Sequence, residues 1–201
     1  GIRDAQESRG LGDVYKRQAM KKAMEGLWEH SVGCAVTSKI IATKKGFGDT
    51  EEVSVAGLLH DIGKVALGLK FADEYRGIIK GAVDKNLWIT EAEKQLFFIT
   101  HADAGAWIGR RWNFPKGLLE VIEYHHKPHL SKEFTIQTAV VHLADILVRA
   151  KGFGFAGDYI IPTINPTAWQ TVGLTEQELK EVIAEMDESL AESGDFSLDD
   201  D

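Results

Sequence analysis

The chain has one cysteine, Cys34, only four prolines, and no apolar run long enough to span a bilayer. A lone cysteine excludes an internal disulfide. Gly1 to Arg17 lacks the apolar centre of a secretion signal. Together these absences point to the cytoplasm and away from a membrane. No glycine-rich phosphate loop is present, and no repeat of 20 to 50 residues is visible. Excess positive charge is also missing, because the net charge is -8. Glu176 to Asp201 holds 11 acidic residues and one lysine, a local net of -10, which leaves -8 + 10 = +2 for the rest. Neither part offers the basic surface that nucleic acid needs. The acidic end reads as a solvated helix face followed by a frayed tail.

What is present suits one helical domain. At 201 residues with 44% hydrophobic content, the chain can bury a sizeable core. Residues 1–18 are polar and without a durable period, an appended or disordered segment. Residues 19–193 carry helical patterning, and 194–201 form the acidic tail. Leu27, His30, Cys34 and Ser38 recur at spacings of three and four, which predicts a helix from Ala19 to Lys44. Asp49 and Glu52 form a capping box for the next helix. That helix carries His60 inward and must end or bend at Asp61, with Gly63 available for the turn. Val65 to Leu69 reads as a short apolar connection.

Helices are then expected from Phe71 to Gly81 and from a Thr90–Glu93 cap to Phe98. This central stretch would cover the site with Trp88, Phe97 and Phe98, although aromatic packing is their commoner use. Thr100 and Asp103 cap a further helix beginning at His101. Pro115 opens a helix over Leu118 to His126, and Pro128 ends it. Phe134 to Lys151 is apolar on nearly every face, so Asp145 within it demands a partner. A glycine- and proline-bearing excursion follows from Gly152 to Thr175, with a short helix near Pro166. Thr175 and Glu178 then cap a last helix.

The chemistry centres on Leu58-Leu59-His60-Asp61-Ile62-Gly63-Lys64. Adjacent His and Asp offer a nitrogen and a carboxylate able to bridge two ions. The remaining histidines, His30, His101, His125, His126, His129 and His142, are spread along the chain, which suggests a metal site gathered from several helices. His142 can point with Asp145 or serve packing.

These segments, with Leu27-Trp28-Glu29-His30-Ser31, Thr100-His101-Ala102, Tyr124-His125-His126-Lys127-Pro128 and Val141-His142-Leu143-Ala144-Asp145, resemble the HD superfamily of metal-dependent phosphohydrolases. Within it they are most similar to the HDOD branch, the HD-related output domain of bacterial signalling proteins. The resemblance spans most of Leu27 to Glu192 and implies an all-α HD-type helical bundle. Family members carry a further helical region before the first motif histidine, where this chain has a short, unlike segment. The resemblance implies that His30, His60, Asp61 and Asp145 hold one metal. Asp61 would bridge to a second, held by His101, His125 and His126. Two divalent transition-metal ions fit such ligands: iron, manganese, nickel, cobalt or zinc. Asp61 and Lys64 would then serve catalysis, Lys64 by stabilising a phosphoryl oxygen.

The implied activity is hydrolysis of a phosphoester or nucleotide. The alternatives are a non-catalytic output module that binds a signalling protein, and a di-iron oxidative enzyme of the same superfamily. In the related HD-GYP branch, acidic residues and a Gly-Tyr-Pro element follow the paired histidines. Here Lys127-Pro128-His129 stands instead, so cyclic di-guanylate hydrolysis is not expected.

Overall fold

A computed structural model describes the backbone of residues 2–193 and the side chains of residues 18 and 20–191. The acidic tail expected at 194–201 and most side chains of the polar segment 1–18 lie outside the described residues. Among the described residues the chain is all helical, without a strand. The helices are α1 (Ile2–Lys45), α2 (Thr50–Leu59), α3 (Ile62–Lys70), α4 (Ala72–Lys85), α5 (Ile89–Phe97), α6 (His101–Arg111), α7 (Lys116–Tyr124), α8 (Thr135–Lys151), α9 (Pro166–Val172) and α10 (Glu176–Ser193). One 3-10 turn spans Pro128–Leu130.

Helix α1 packs on α2, α8 and α10, α3 on α6, and α8 on α9. Leu27, His30, Cys34, Ser38 and Ile41 are buried along one stripe of α1, as their spacing predicts. On α8 the run from Thr138 to Ile146 is buried on all sides. The main core joins these helices through Cys34, Ile41, Val121, Ile122, Val141 and Met186. A smaller core under α3 to α6 contains Leu67, Tyr75, Ile78 and Ile89.

Several starts obey local rules. Thr100 and Asp103 form a complete capping box, as do Thr175 and Glu178. Asp49 accepts from the amides of Glu51 and Glu52. Three expected helix boundaries fail. The backbone is already helical at Ile2 instead of starting at Ala19. Val65 to Leu69 is part of helix α3, not a connection. Thr90 is not a cap, because α5 begins at Ile89 after Trp88, which makes no side-chain cap bond. Asp158, 69 residues away in sequence, accepts the Ile89 amide instead.

Gly63 also has a different role from the one expected. It lies inside α3, and the bend falls at His60 and Asp61. A β-carbon on Gly63 would overlap the His101 carbonyl and approach the Gly105 amide at 2.8 Å. Glycine here lets α3 and α6 meet backbone to backbone. Gly63→Ala is therefore expected to lower stability by about 1–3 kcal/mol. At Gly68, in the same helix, an added β-carbon makes only ordinary contacts, with the Met24 side chain at 3.5 Å and the Tyr75 ring at 3.7 Å. Gly68→Ala should thus be neutral or stabilising by roughly 0.5–1 kcal/mol. Urea unfolding of the two variants checks the contrast, and equal losses would refute the close-approach account.

Candidate metal centre

Three helices and two helix ends converge on one buried point. His30 comes from α1, His60 and Asp61 from the bend between α2 and α3, and His101 from the first turn of α6. His125 and His126 follow the end of α7, and Asp145 lies in α8. Ending two helices next to these pairs lets adjacent side chains turn to one centre, which a straight helix forbids. All seven residues named from the sequence are brought together. Six of them are 2% exposed or less, while His126 reaches the surface with 8% of its side chain exposed.

The donors fall into two groups, each with its ligand atoms within 4.8 Å of one another. One holds His30, Cys34, His60 and Asp145, the other Asp61, His101, His125 and His126. Asp61 faces both. Its Oδ2 is 3.3 Å from His60 Nε2 and 3.8 Å from His30 Nε2. Its Oδ1 is 3.1 Å from His101 Nε2 and 3.7 Å from His125 Nε2. A carboxylate so placed could reach an ion in either group. Lys64 is itself buried and donates to Asp61 Oδ2 at 2.5 Å.

Neighbouring groups fix the imidazole tautomers. A carbonyl oxygen only accepts, so the ring nitrogen facing it must carry the proton. His60 Nδ1 thus donates to Gly57 at 2.6 Å and His125 Nδ1 to Ile122 at 2.9 Å. In the neutral ring each leaves a bare Nε2 pointing inward, and neither Nε2 has a hydrogen-bond partner. The Glu93 carboxylate lies 2.8 Å from His101 Nδ1 and also accepts the His101 amide at 2.9 Å. His101 Nε2 and His126 Nε2 then lie 3.0 Å apart. Two lone pairs at that distance repel unless a proton or a cation lies between them. Buried lone pairs without partners, aligned by outer hydrogen bonds, are what a metal-ligating set presents. Each of the two groups could hold a metal ion, and imidazole with carboxylate suits a transition metal.

Two other histidines are not donors here. His142 Nδ1 donates to the His125 carbonyl at 2.7 Å, and its Nε2 accepts the Asn165 amide at 3.0 Å. Both its nitrogens are occupied, and it props the His125 segment. His129 Nδ1 lies 3.1 Å from the Asn165 side-chain amide.

The charges balance around the centre. Burial would raise the Asp61 carboxyl, but His60, Lys64 and His101 hold it well below the usual range. Burial likewise opposes ionisation of Asp145, and Arg149 with His30 outweighs it. Arg149 binds Asp145 at 3.0 Å and, from Nη1, Asp158 at 3.1 Å and the Ile160 carbonyl at 2.9 Å. Burial depresses the imidazoles of His30, His125 and His126. For His101 burial pulls the same way, but Glu93 and Asp61 reverse it and the net shift is upward.

Sequence reasoning missed Cys34, Glu93 and Arg149 as part of the site. Cys34 was visible as the residue four after His30. Glu93 matched a helix cap, which concealed its contact with His101. The central segment does supply a cover, but only through Trp88, whose ring meets His126 edge-on at 5.0 Å. Phe97 joins the smaller core and Phe98 points to solvent.

The sequence matches the HDOD domain family over residues 8–128. A crystal structure of an HDOD domain protein with unknown function from Geobacter sulfurreducens superposes with a TM-score of 0.73 at 28% identity, covering 84% of this chain and 60% of that one. A protein provisionally described as a signal transduction protein, from Marinobacter aquaeolei VT8, shares the fold with a TM-score of 0.71 at 19% identity, covering 82% of this chain and 37% of that one. An uncharacterized protein of Treponema pallidum is 24% identical over 153 residues, or 74% of this chain and 29% of that protein. The chain therefore spans less than two thirds of the length of each.

Acidification should destabilise the metal-free protein. A depressed histidine contributes stability fully above its unfolded value of 6.5 and loses it as pH falls below that. His30, His125 and His126 act in this direction. His101 acts oppositely, stabilising fully below 6.5 and less as pH rises through its raised value. His142, also depressed by burial, joins the first three, and four groups outweigh one, so the melting temperature of chelator-treated protein is expected to drop between about pH 7.5 and 5.5. A flat profile would contradict these assignments.

Proposed function

The chain belongs to the HDOD domain family, and on that premise we propose that it works as a signal-transduction output domain that binds a protein partner and uses a dinuclear metal centre to set the shape of its docking groove. One observation carries this reading: an exposed apolar groove lies on the outer side of the same two helices that the centre ties together. Ile62, Val65, Leu69, Trp107, Ile108 and Trp112 line a cavity of about 440 Å³ between α3 and α6. Leu69 is 81% exposed, Trp107 69% and Trp112 63%. Contiguous apolar surface of this kind marks an interaction site.

Helix α3 starts beside Asp61 and α6 starts at His101, whose side chains meet at 3.1 Å. Occupancy of the centre would therefore act on the spacing of the groove walls. Lys70 and Arg111 lie in the same lining. The partner that fits is an amphipathic segment with apolar anchors flanked by carboxylates.

A second reading, hydrolysis of a phosphoester or nucleotide, has its own support. A cleft of about 510 Å³ runs along Trp88, Glu91, Pro162 and Asn165 and reaches His126 and Asp145. Bound transition-metal ions would supply Lewis acidity and an activated water there. Lys64 is not in the lining of that cleft, and its contact with Asp61 suits alignment of the bridge better than contact with a substrate oxygen. The di-iron oxidative alternative would use the same ligands.

Three proteins separate these readings: wild type, Asp61→Asn, and Leu69→Ser/Trp107→Ala. Each is analysed for metal and assayed on phosphomonoesters, nucleotides and cyclic dinucleotides with Mn, Fe, Co, Ni and Zn. Each is also tested for rescue of a strain lacking the gene. The output reading expects about two metals per chain in wild type, no turnover, and loss of rescue in the groove variant with its metal retained. Asp61→Asn should lose metal and rescue together. Turnover that Asp61→Asn abolishes, with full rescue by the groove variant, would replace this reading with the phosphohydrolase. Oxygen uptake by the reduced-iron form without phosphate release would favour the oxidative enzyme.

A further inference from the structure

Cys34 lies one turn beyond His30 on the inward stripe of α1 and is completely buried. Its Sγ is 3.5 Å from His30 Nε2. The nearest alternative account is a small core residue whose thiol makes a weak hydrogen bond to that nitrogen. That account leaves the surroundings unexplained. His60 Nε2, in the same group of candidate ligand atoms as the sulfur, is buried without any hydrogen-bond partner. His60 cannot satisfy its Nε2 by changing tautomer, because its Nδ1 proton is held by the Gly57 carbonyl at 2.6 Å.

We infer that Cys34 is a sulfur ligand of the metal held by His30, His60 and Asp145, so that the two halves of the centre differ in chemistry. Two of the spacings in this group, whose ligand atoms all lie within 4.8 Å of one another, match those around a shared ion. Bonds of about 2.0–2.3 Å at tetrahedral angles place neighbouring ligand atoms roughly 3.3–3.6 Å apart. The sulfur of Cys34 and the nitrogen of His30 are 3.5 Å apart, and that nitrogen is 3.2 Å from Asp145 Oδ1. On coordination the thiol proton is released and sulfur binds as thiolate. The half with Cys34 then selects zinc, iron or cobalt over manganese, because thiolate is a soft donor. The half built from Asp61, His101, His125 and His126 has only nitrogen and oxygen donors and carries no such bias.

This inference rests on the metal centre proposed above, and the test distinguishes failure of one from failure of the other. Protein purified without a metal-binding tag is stripped, titrated with cobalt(II) and followed by absorption spectroscopy. The expected result in wild type is a sulfur-to-cobalt charge-transfer band in the near ultraviolet, together with ligand-field bands in the visible. Wild type alone supplies this readout, so it does not depend on a variant folding. Cys34→Ser, checked for helicity by circular dichroism, should lose the charge-transfer band and keep visible bands. Its zinc affinity should fall at least about tenfold, with manganese affinity nearly unchanged. Visible cobalt bands in wild type without charge transfer would refute the sulfur ligand and leave the centre standing. Absence of cobalt binding by folded wild type would overturn both.

Discussion

The Asp61 carboxylate is the constraint on which the rest of the structure depends. It is buried, and a buried charge is tolerated only when partners surround it. Lys64 neutralises it from the next turn, His60 and His30 face one oxygen, and His101 and His125 face the other. Meeting those partners requires α1, α2, α6 and α7 to end or pass within a few ångströms of one point. The bend between α2 and α3, the glycine contact between α3 and α6, and the termination of α7 at its two histidines all serve that requirement. The bundle is arranged around a cluster of polar side chains, with the apolar cores to either side.

The helices were legible where apolar residues followed a clean period or a cap stood at the start. The α1 stripe, the Thr100 and Thr175 boxes, and the α9 turn at Pro166 are examples. Helix α3 was not legible, and the reason bears on function. Leu67 faces the smaller core, while Val65 and Leu69 face the groove, so the segment has apolar residues on opposed sides and no polar face. An unperiodic apolar run reads as a connection. The exposed apolar surface proposed above as a docking groove is the same feature that obscured the helix.

The seven donors were legible as a resemblance to a family, because their order along the chain is specific even though each piece is weak. Their supporting groups were not. Glu93 stands three residues after Thr90, a pattern that local rules assign to capping, and tertiary structure uses it for His101 instead. Asp158 lies in a segment without period, and its partners Ile89 and Arg149 are set by the fold alone. Cys34 showed the right spacing to His30, but a small buried residue on an apolar stripe has an ordinary explanation in packing. Only the unsatisfied atoms around it give that position another meaning.

Arg149 has one further consequence. It grips Asp145 with one nitrogen and, with another, both Asp158 and the Ile160 carbonyl, while Asp158 closes the N-terminus of α5. Gly154, at φ +68, lets the same segment approach the His30 backbone, where a β-carbon would collide. The stretch from 152 to 165 is therefore not an independent surface loop. It is fastened to α1 near Gly154, at its middle through Asp158 and Ile160 to α8 and to α5, the helix that carries Glu93, and at its far end through Asn165 to α8 again. Local opening of this strap would expose the centre and release the α5 terminus in one event. In native-state hydrogen exchange, amides of the strap, of early α5 and around Asp145 would then open as a single cooperative unit.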